Sequence, residues 1–128
     1  MKFIFIVFAC FLIVLANADL KGECSIGNIG IHSEVVNSYT IVGEGDQVYS
    51  NVNVIIHNYS GKRVNYFAIR TGYLELRDDS SIWNIVHVGN DLILPQGQII
   101  EPGNNFTFGF IIKGHFIPPM YVRRVTCL

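Results

Sequence analysis

Two stretches of this 128-residue chain alternate apolar and polar residues with a period of two, and that spacing dictates strands. Successive strand side chains point to opposite faces. Val52, Val54 and Ile56 therefore share one face, while Asn51, Asn53, Ile55 and His57 take the other. Phe106, Phe108, Phe110 and Ile112 form a second stripe opposite Thr107, Gly109 and Lys113. Stripes of this kind suit antiparallel sheets that pack one face on a core. No helical period of useful length appears beyond the first eighteen residues.

Turn chemistry separates the apolar runs. Gly43-Glu44-Gly45-Asp46, Ser60-Gly61-Lys62, Asp78-Asp79-Ser80, Gly89-Asn90-Asp91, Gln96-Gly97-Gln98 and Pro102-Gly103-Asn104 all fall between them. The implied strands span 25–33, 38–42, 48–57, 64–76 with a break at Thr71-Gly72, 82–88, 91–94, 98–101, 105–113 and 119–126. Pro118-Pro119 blocks helix and ladder alike and makes the bend into the last of these. Eight or nine short strands at such spacing predict an all-β fold, an antiparallel β-sandwich in one domain.

The first eighteen residues read as a signal peptide. Lys2 supplies a positive charge, Phe3 to Leu15 is apolar, and Ala16-Asn17-Ala18 has the small-x-small pattern of a cleavage site. A helix of that apolar length spans about 20 Å, short of a hydrocarbon core of roughly 30 Å, so export is expected rather than anchorage. The mature domain then covers 19–128, with no membrane contact after cleavage. Loss of Lys2 turns nine basic residues into eight against ten acidic ones, so the net charge becomes about −2. A near-neutral chain with scattered Lys and Arg has no electrostatic footprint for nucleic acid.

Cys10 leaves with the leader, and Cys24 and Cys127 remain near opposite ends of the mature domain. In an oxidising compartment they are expected to pair and tie the terminal strands together. Two sequons, Asn58-Tyr59-Ser60 and Asn105-Phe106-Thr107, are candidate N-glycosylation sites and predict surface positions.

Catalytic chemistry has no foothold in the pattern. The acidic residues lie mostly in turns, and adjacent Asp78 and Asp79 on extended backbone face opposite ways, which a glycosidase pair cannot do. His32, His57, His87 and His115 lack metal-ligand spacing. No nucleophile elbow or phosphate-cradling loop is present. The expectation is a protein without catalytic residues, metal or cofactor.

From about Asn37 to Val125 a set of short motifs occurs in a distinctive order. Ser38-Tyr39-Thr40 comes first, then Tyr49-Ser50 opening a strand that ends in Ile55-Ile56-His57-Asn58, then the turn Ser60-Gly61-Lys62. Ile82-Trp83-Asn84 is followed by Leu94-Pro95, and Ile100-Glu101-Pro102-Gly103 leads into Phe108-Gly109-Phe110-Ile111. In this order the chain resembles the family 49 carbohydrate-binding modules, found at the C-terminus of some plant cellulases and in secreted matrix proteins of slime moulds. The resemblance implies a β-sandwich that binds cellulose or a related β-glucan without cleaving it, in an extracellular matrix or cell wall. Tyr39 stands where the family usually shows Trp, which gives a smaller stacking platform.

The apolar C–H face of a pyranose can lie flat on an exposed aromatic ring, each contact being worth on the order of 1 kcal/mol by analogy with aromatic pairs. The candidate carbohydrate-binding residues are Trp83, the sole tryptophan, with Tyr39 and Tyr49. Tyr49 shares parity with Asn51 and Asn53 and is expected to look outward. Parity groups Trp83 with Ile85 and His87, opposite Ile82, Val86 and Val88. Tyr59, inside a sequon, reads as loop surface. A rival reading keeps the sandwich but makes it a secreted signalling or protein-interaction domain that has lost its sugar face. Three aromatics on one exposed face would favour polysaccharide.

Overall fold

The computed structural model describes residues 24–128, so the leader expected over 1–18 lies outside it. After a short 3-10 turn, Ile26–Asn28, come eight strands: β1 (Ile29–Thr40), β2 (Val48–Asn58), β3 (Val64–Thr71), β4 (Ile82–Trp83), β5 (Val86–Val88), β6 (Asp91–Ile93), β7 (Asn105–Lys113) and β8 (Met120–Cys127). They form two four-stranded sheets with orders β1-β2-β7-β4 and β5-β6-β3-β8. Every pairing is antiparallel. The chain is the expected all-β sandwich.

Both alternating stripes point inward. Val52, Val54 and Ile56 of β2 stand opposite Phe110, Phe108 and Phe106 of β7 in register. Against them pack Phe67 and Ile69 of β3, Leu92 of β6 and Val122 of β8. Burying each such side chain contributes about 1.5–3 kcal/mol. Phe106 at the rim meets Phe67 edge-on, at 6.2 Å and 67°.

Four of the runs read in the sequence differ from the strands found. The runs 25–33 and 38–42 form one strand, β1, with a bulge between Val35 and Asn37. Val36, the extra residue, is 56 % exposed, and its insertion shifts the parity, so a continuous strand reads as two. The run 82–88 is cut at Asn84, which adopts a positive φ of 61° and donates its side-chain amide to the Thr107 carbonyl at 2.7 Å. There the chain leaves the first sheet as β4 and enters the second as β5. One parity therefore cannot cover Trp83 and His87 together, and Val86 and Val88 are exposed. The run 98–101 forms only an isolated bridge, Val64 to Ile100. The break at Thr71-Gly72 and the entry to β8 after Pro118-Pro119 are as read, but the part of 64–76 beyond the break forms only an isolated bridge, Leu76 to Ile112.

Cys24 and Cys127 form a disulfide with 6.2 Å between their Cα atoms, across 103 residues of sequence. It joins the segment before β1, an edge of the first sheet, to the end of β8, an edge of the second. The bond thus closes one side of the sandwich, where terminal strands would otherwise fray.

Candidate functional site

The core takes the inner face of the first sheet, so its outer face carries the opposite parity: Tyr49, Asn51, Asn53, Ile55 and His57 from β2, with Thr107, Gly109, Ile111 and Lys113 from β7. β4 pairs with β7 so that Trp83 lies beside Gly109. A Cβ built on Gly109 would meet three indole atoms, Cζ2 at 2.6 Å and Cε2 and Nε1 at 2.8 Å. Only glycine leaves room for the ring to lie across the sheet. Trp83 is 44 % exposed, showing solvent the side that does not rest on β7.

The same device recurs at the opposite edge. Gly30 of β1 pairs with His57, and a Cβ there would lie 2.8 Å from Cε2 of Tyr59. The Tyr59 ring covers Gly30 and stacks on the His57 imidazole, with centroids 5.5 Å apart and planes 12° apart. Tyr59 is well exposed. Its place on this face was not legible from the sequence, because nothing local reveals that Gly30 sits across from His57.

Tyr39 and Tyr49 are register partners at the other end of β1 and β2, with ring centroids 5.8 Å apart. Tyr49 keeps the outward parity read for it but is only 4 % exposed, because Tyr39 beside it and Glu44 of the β1–β2 loop cover it. Its hydroxyl donates to the Glu44 carboxylate, and that bond pushes its pKa up. Tyr49 is thus a support under Tyr39 rather than an open platform. Tyr39 stays half-buried, and its hydroxyl accepts from Arg77 Nη1 at 2.9 Å.

Arg77 is fixed in turn. Its Nε donates to Asp78 at 3.1 Å, and this bond, with the one to Tyr39, raises its pKa further. Asp78 also accepts from the Ser80 amide, the Ser80 hydroxyl and the Ser81 hydroxyl at 3.0, 2.7 and 2.9 Å. These donors, Ser80 first, then Ser81 and Arg77, lower its pKa to about 2. The carboxylate therefore serves to brace a turn.

Between the aromatic positions lie amides. Asn51 donates to Asn37 Oδ1 at 2.7 Å across β1 and β2, and Asn53 shares the row of Gly109 and Trp83. With about 3.4 Å per residue and about 4.8 Å between strands, Trp83 and Tyr39 sit roughly 20 Å apart across the sheet. Such a surface can stack sugar rings at separate points and hydrogen-bond hydroxyls between them. Among the described residues, no three His, Cys, Asp or Glu side chains gather to hold a metal ion.

The two sequons divide. Asn105 is exposed on this outer face, its Oδ1 2.7 Å from His57 Nδ1. Asn58 instead is 1 % exposed, which corrects the surface position read for it. Its Nδ2 donates to the Lys62 and Ile100 carbonyls, both at 2.8 Å, and its Oδ1 accepts from the Ser60 amide and hydroxyl. Asn-x-Ser here is an Asx turn that pins the end of β2, and the nitrogen a glycan would need is engaged.

Among curated proteins no match to the chain was found. The family described as "Carbohydrate binding domain CBM49" matches residues 28–113, from the turn before β1 to the end of β7, leaving β8 and both disulfide cysteines outside. The matched span holds Tyr39, Tyr59, Trp83 and the two glycines beneath the Tyr59 and Trp83 rings, and on that match the chain belongs to the CBM49 carbohydrate-binding domain family.

Proposed function

We propose that this protein is a secreted, non-catalytic module that binds cellulose or a related β-glucan in a matrix or cell wall through the outer face of its first sheet. The observation that carries this reading is the Trp83 indole lying over Gly109 with one side open. A ring held flat on a sheet is pre-organised for a planar polymer surface and loses little conformational freedom on contact. Tyr39, braced by Tyr49 and Arg77, and Tyr59, resting on Gly30, add points of contact on the same face. Several such points are needed, since each ring contributes only about 1 kcal/mol. The export leader read over 1–18 supports action outside the cell. A glycan at Asn105 would root on this face and compete with polymer for it.

Retention on microcrystalline cellulose tests the reading. Wild type is expected in the pellet, Trp83→Ala largely in the supernatant, and Tyr39→Ala in between. Equal retention of all three folded proteins would overturn the site, and no retention of wild type on cellulose or another insoluble β-glucan would overturn the function. The signalling or protein-interaction alternative then becomes the better reading.

A further inference from the structure

We infer that the opposite sheet carries a second glycan site, a groove for a single soluble β-glucan chain, so that the module can hold a polymer surface and a free chain at once. The inference rests on the carbohydrate reading of the first sheet and adds a separate site to it.

On the outer side of the second sheet, Ala68 of β3, Ile93 of β6 and Val86 of β5 stand in one row. Beside them is a groove of about 480 Å³ with Tyr66, Val86, Ile93 and Leu128 along it. That size falls within the roughly 300–1,000 Å³ of small-ligand sites. Concave shape sets it apart from the flat face over β7, and suits one chain rather than a crystal surface.

The rim chemistry selects the ligand class. Asn65, Gln96 and Gln98 bring three carboxamides to the groove, and no charged side chain lines it among the described residues. The turn Gln96-Gly97-Gln98 is set by Gly97 at a φ of 89° and by the Gln98 amide donating to the Pro95 carbonyl at 3.1 Å. Asn65 accepts from Thr126 through Oδ1 at 2.9 Å, which orients its amide nitrogen as a donor. Farther along the same face, Arg70 and Arg123 hold Asp91 at 2.7 and 2.6 Å, and none of these three side chains lines the groove. Neutral donor–acceptor amides around an aromatic and aliphatic floor match a neutral polyhydroxylated chain with C–H faces.

The probe is cellohexaose, titrated calorimetrically into folded wild type, the Gln96→Ala/Gln98→Ala double variant and Trp83→Ala, with all three also tested for retention on microcrystalline cellulose. Both glutamines are exposed turn residues, so the double variant keeps the fold. It is expected to lose at least about tenfold in cellohexaose affinity, the loss that two neutral hydrogen bonds represent, and to stay on the solid. Trp83→Ala is expected to leave the solid while binding cellohexaose within about twofold of wild type, since Trp83 belongs to the other sheet and does not line the groove. Cellohexaose binding by the double variant equal to wild type, its loss in Trp83→Ala, or its absence in wild type would each overturn the groove. Failure of wild type on the solid with cellohexaose still bound to the groove would sink the flat-face reading alone and leave the groove standing.

Discussion

At the scale of single residues, the site depends on two absent side chains. Gly109 and Gly30 are the places where aromatic rings come down onto the first sheet. Gly109→Ala would put a methyl group 2.6 Å from Trp83 Cζ2 and lift the indole away. Trp83 lies at the sheet edge and can swing outward, so the variant is expected to fold. Loss of one pre-organised ring, about 1 kcal/mol, should weaken affinity for cellulose by about fivefold, which a depletion isotherm would read. Undiminished affinity would mean that the ring's flat pose is unimportant. Trp83 itself was legible as a candidate, because a lone tryptophan among strand residues stands out. Its orientation was not, because the positive φ of Asn84 that ends its strand is invisible in an apolar–polar pattern. The cover over Tyr49 was equally hidden, since it comes from Glu44 folding back from the β1–β2 loop.

Asp78 belongs to the same scale. A carboxyl whose folded pKa is depressed stabilises the folded state above its unfolded value of 3.8, and that contribution fades as pH falls through about 2. The turn that holds Arg77 against Tyr39 should therefore be intact at pH 4. A carboxyl carbon titration of Asp78 by NMR is expected to show a midpoint near 2, and a midpoint at 3.8 would mean that the Ser80, Ser81 and Arg77 contacts do not form in solution.

At the scale of elements, strands with unbroken alternation were readable, and those interrupted by a bulge or a turn were not. β2 and β7 announce themselves through two-residue alternation and sit in register in the core. β4 and β5 are two and three residues long and were read as one run, while the equally short β6 was found by the turn that precedes it. The bulge in β1 hid a continuous strand by shifting its parity at Val36. The Asn58 clasp shows the same limit, because a sequon and an Asx turn are one string of residues with opposite burial. Asn58→Ala takes one donor each from the Lys62 and Ile100 carbonyls, which keep the Ser60 hydroxyl and the Val64 amide, and leaves the Ser60 amide without its acceptor; it should cost about 1–3 kcal/mol, seen as a lower urea midpoint at unchanged slope. Peptide mapping of protein from a glycosylating host should find Asn58 bare; a glycan there in folded protein would contradict the clasp.

At the scale of the molecule, the sandwich and its disulfide came through the sequence, since turn spacing and two separated cysteines carry that information. The family match ends at Lys113, so β8 and the bond that anchors it complete the second sheet from outside the matched span. Closing a loop of this size is worth up to about 4.7 kcal/mol in the chain-entropy model, with about 2–4 kcal/mol typical. Replacing Cys24 and Cys127 by Ser should therefore lower Tm by roughly 10–20 °C in a domain this small. Cellulose retention well below the new Tm should be unchanged, because the bond joins sheet edges and does not touch the outer face of β2 and β7. A loss of retention by the folded variant would tie the site to the second sheet.

Trp83 is the sole tryptophan, so the protein's indole emission reports the proposed contact directly. Iodide quenching of that emission, measured before and after addition of cellulose nanocrystals, is the most direct measurement. A ring docked on sugar should become shielded, with reduced quenching and a blue shift. Protein that is retained on the polymer while its Trp83 remains as open to iodide as before would contradict a flat aromatic contact at the first sheet.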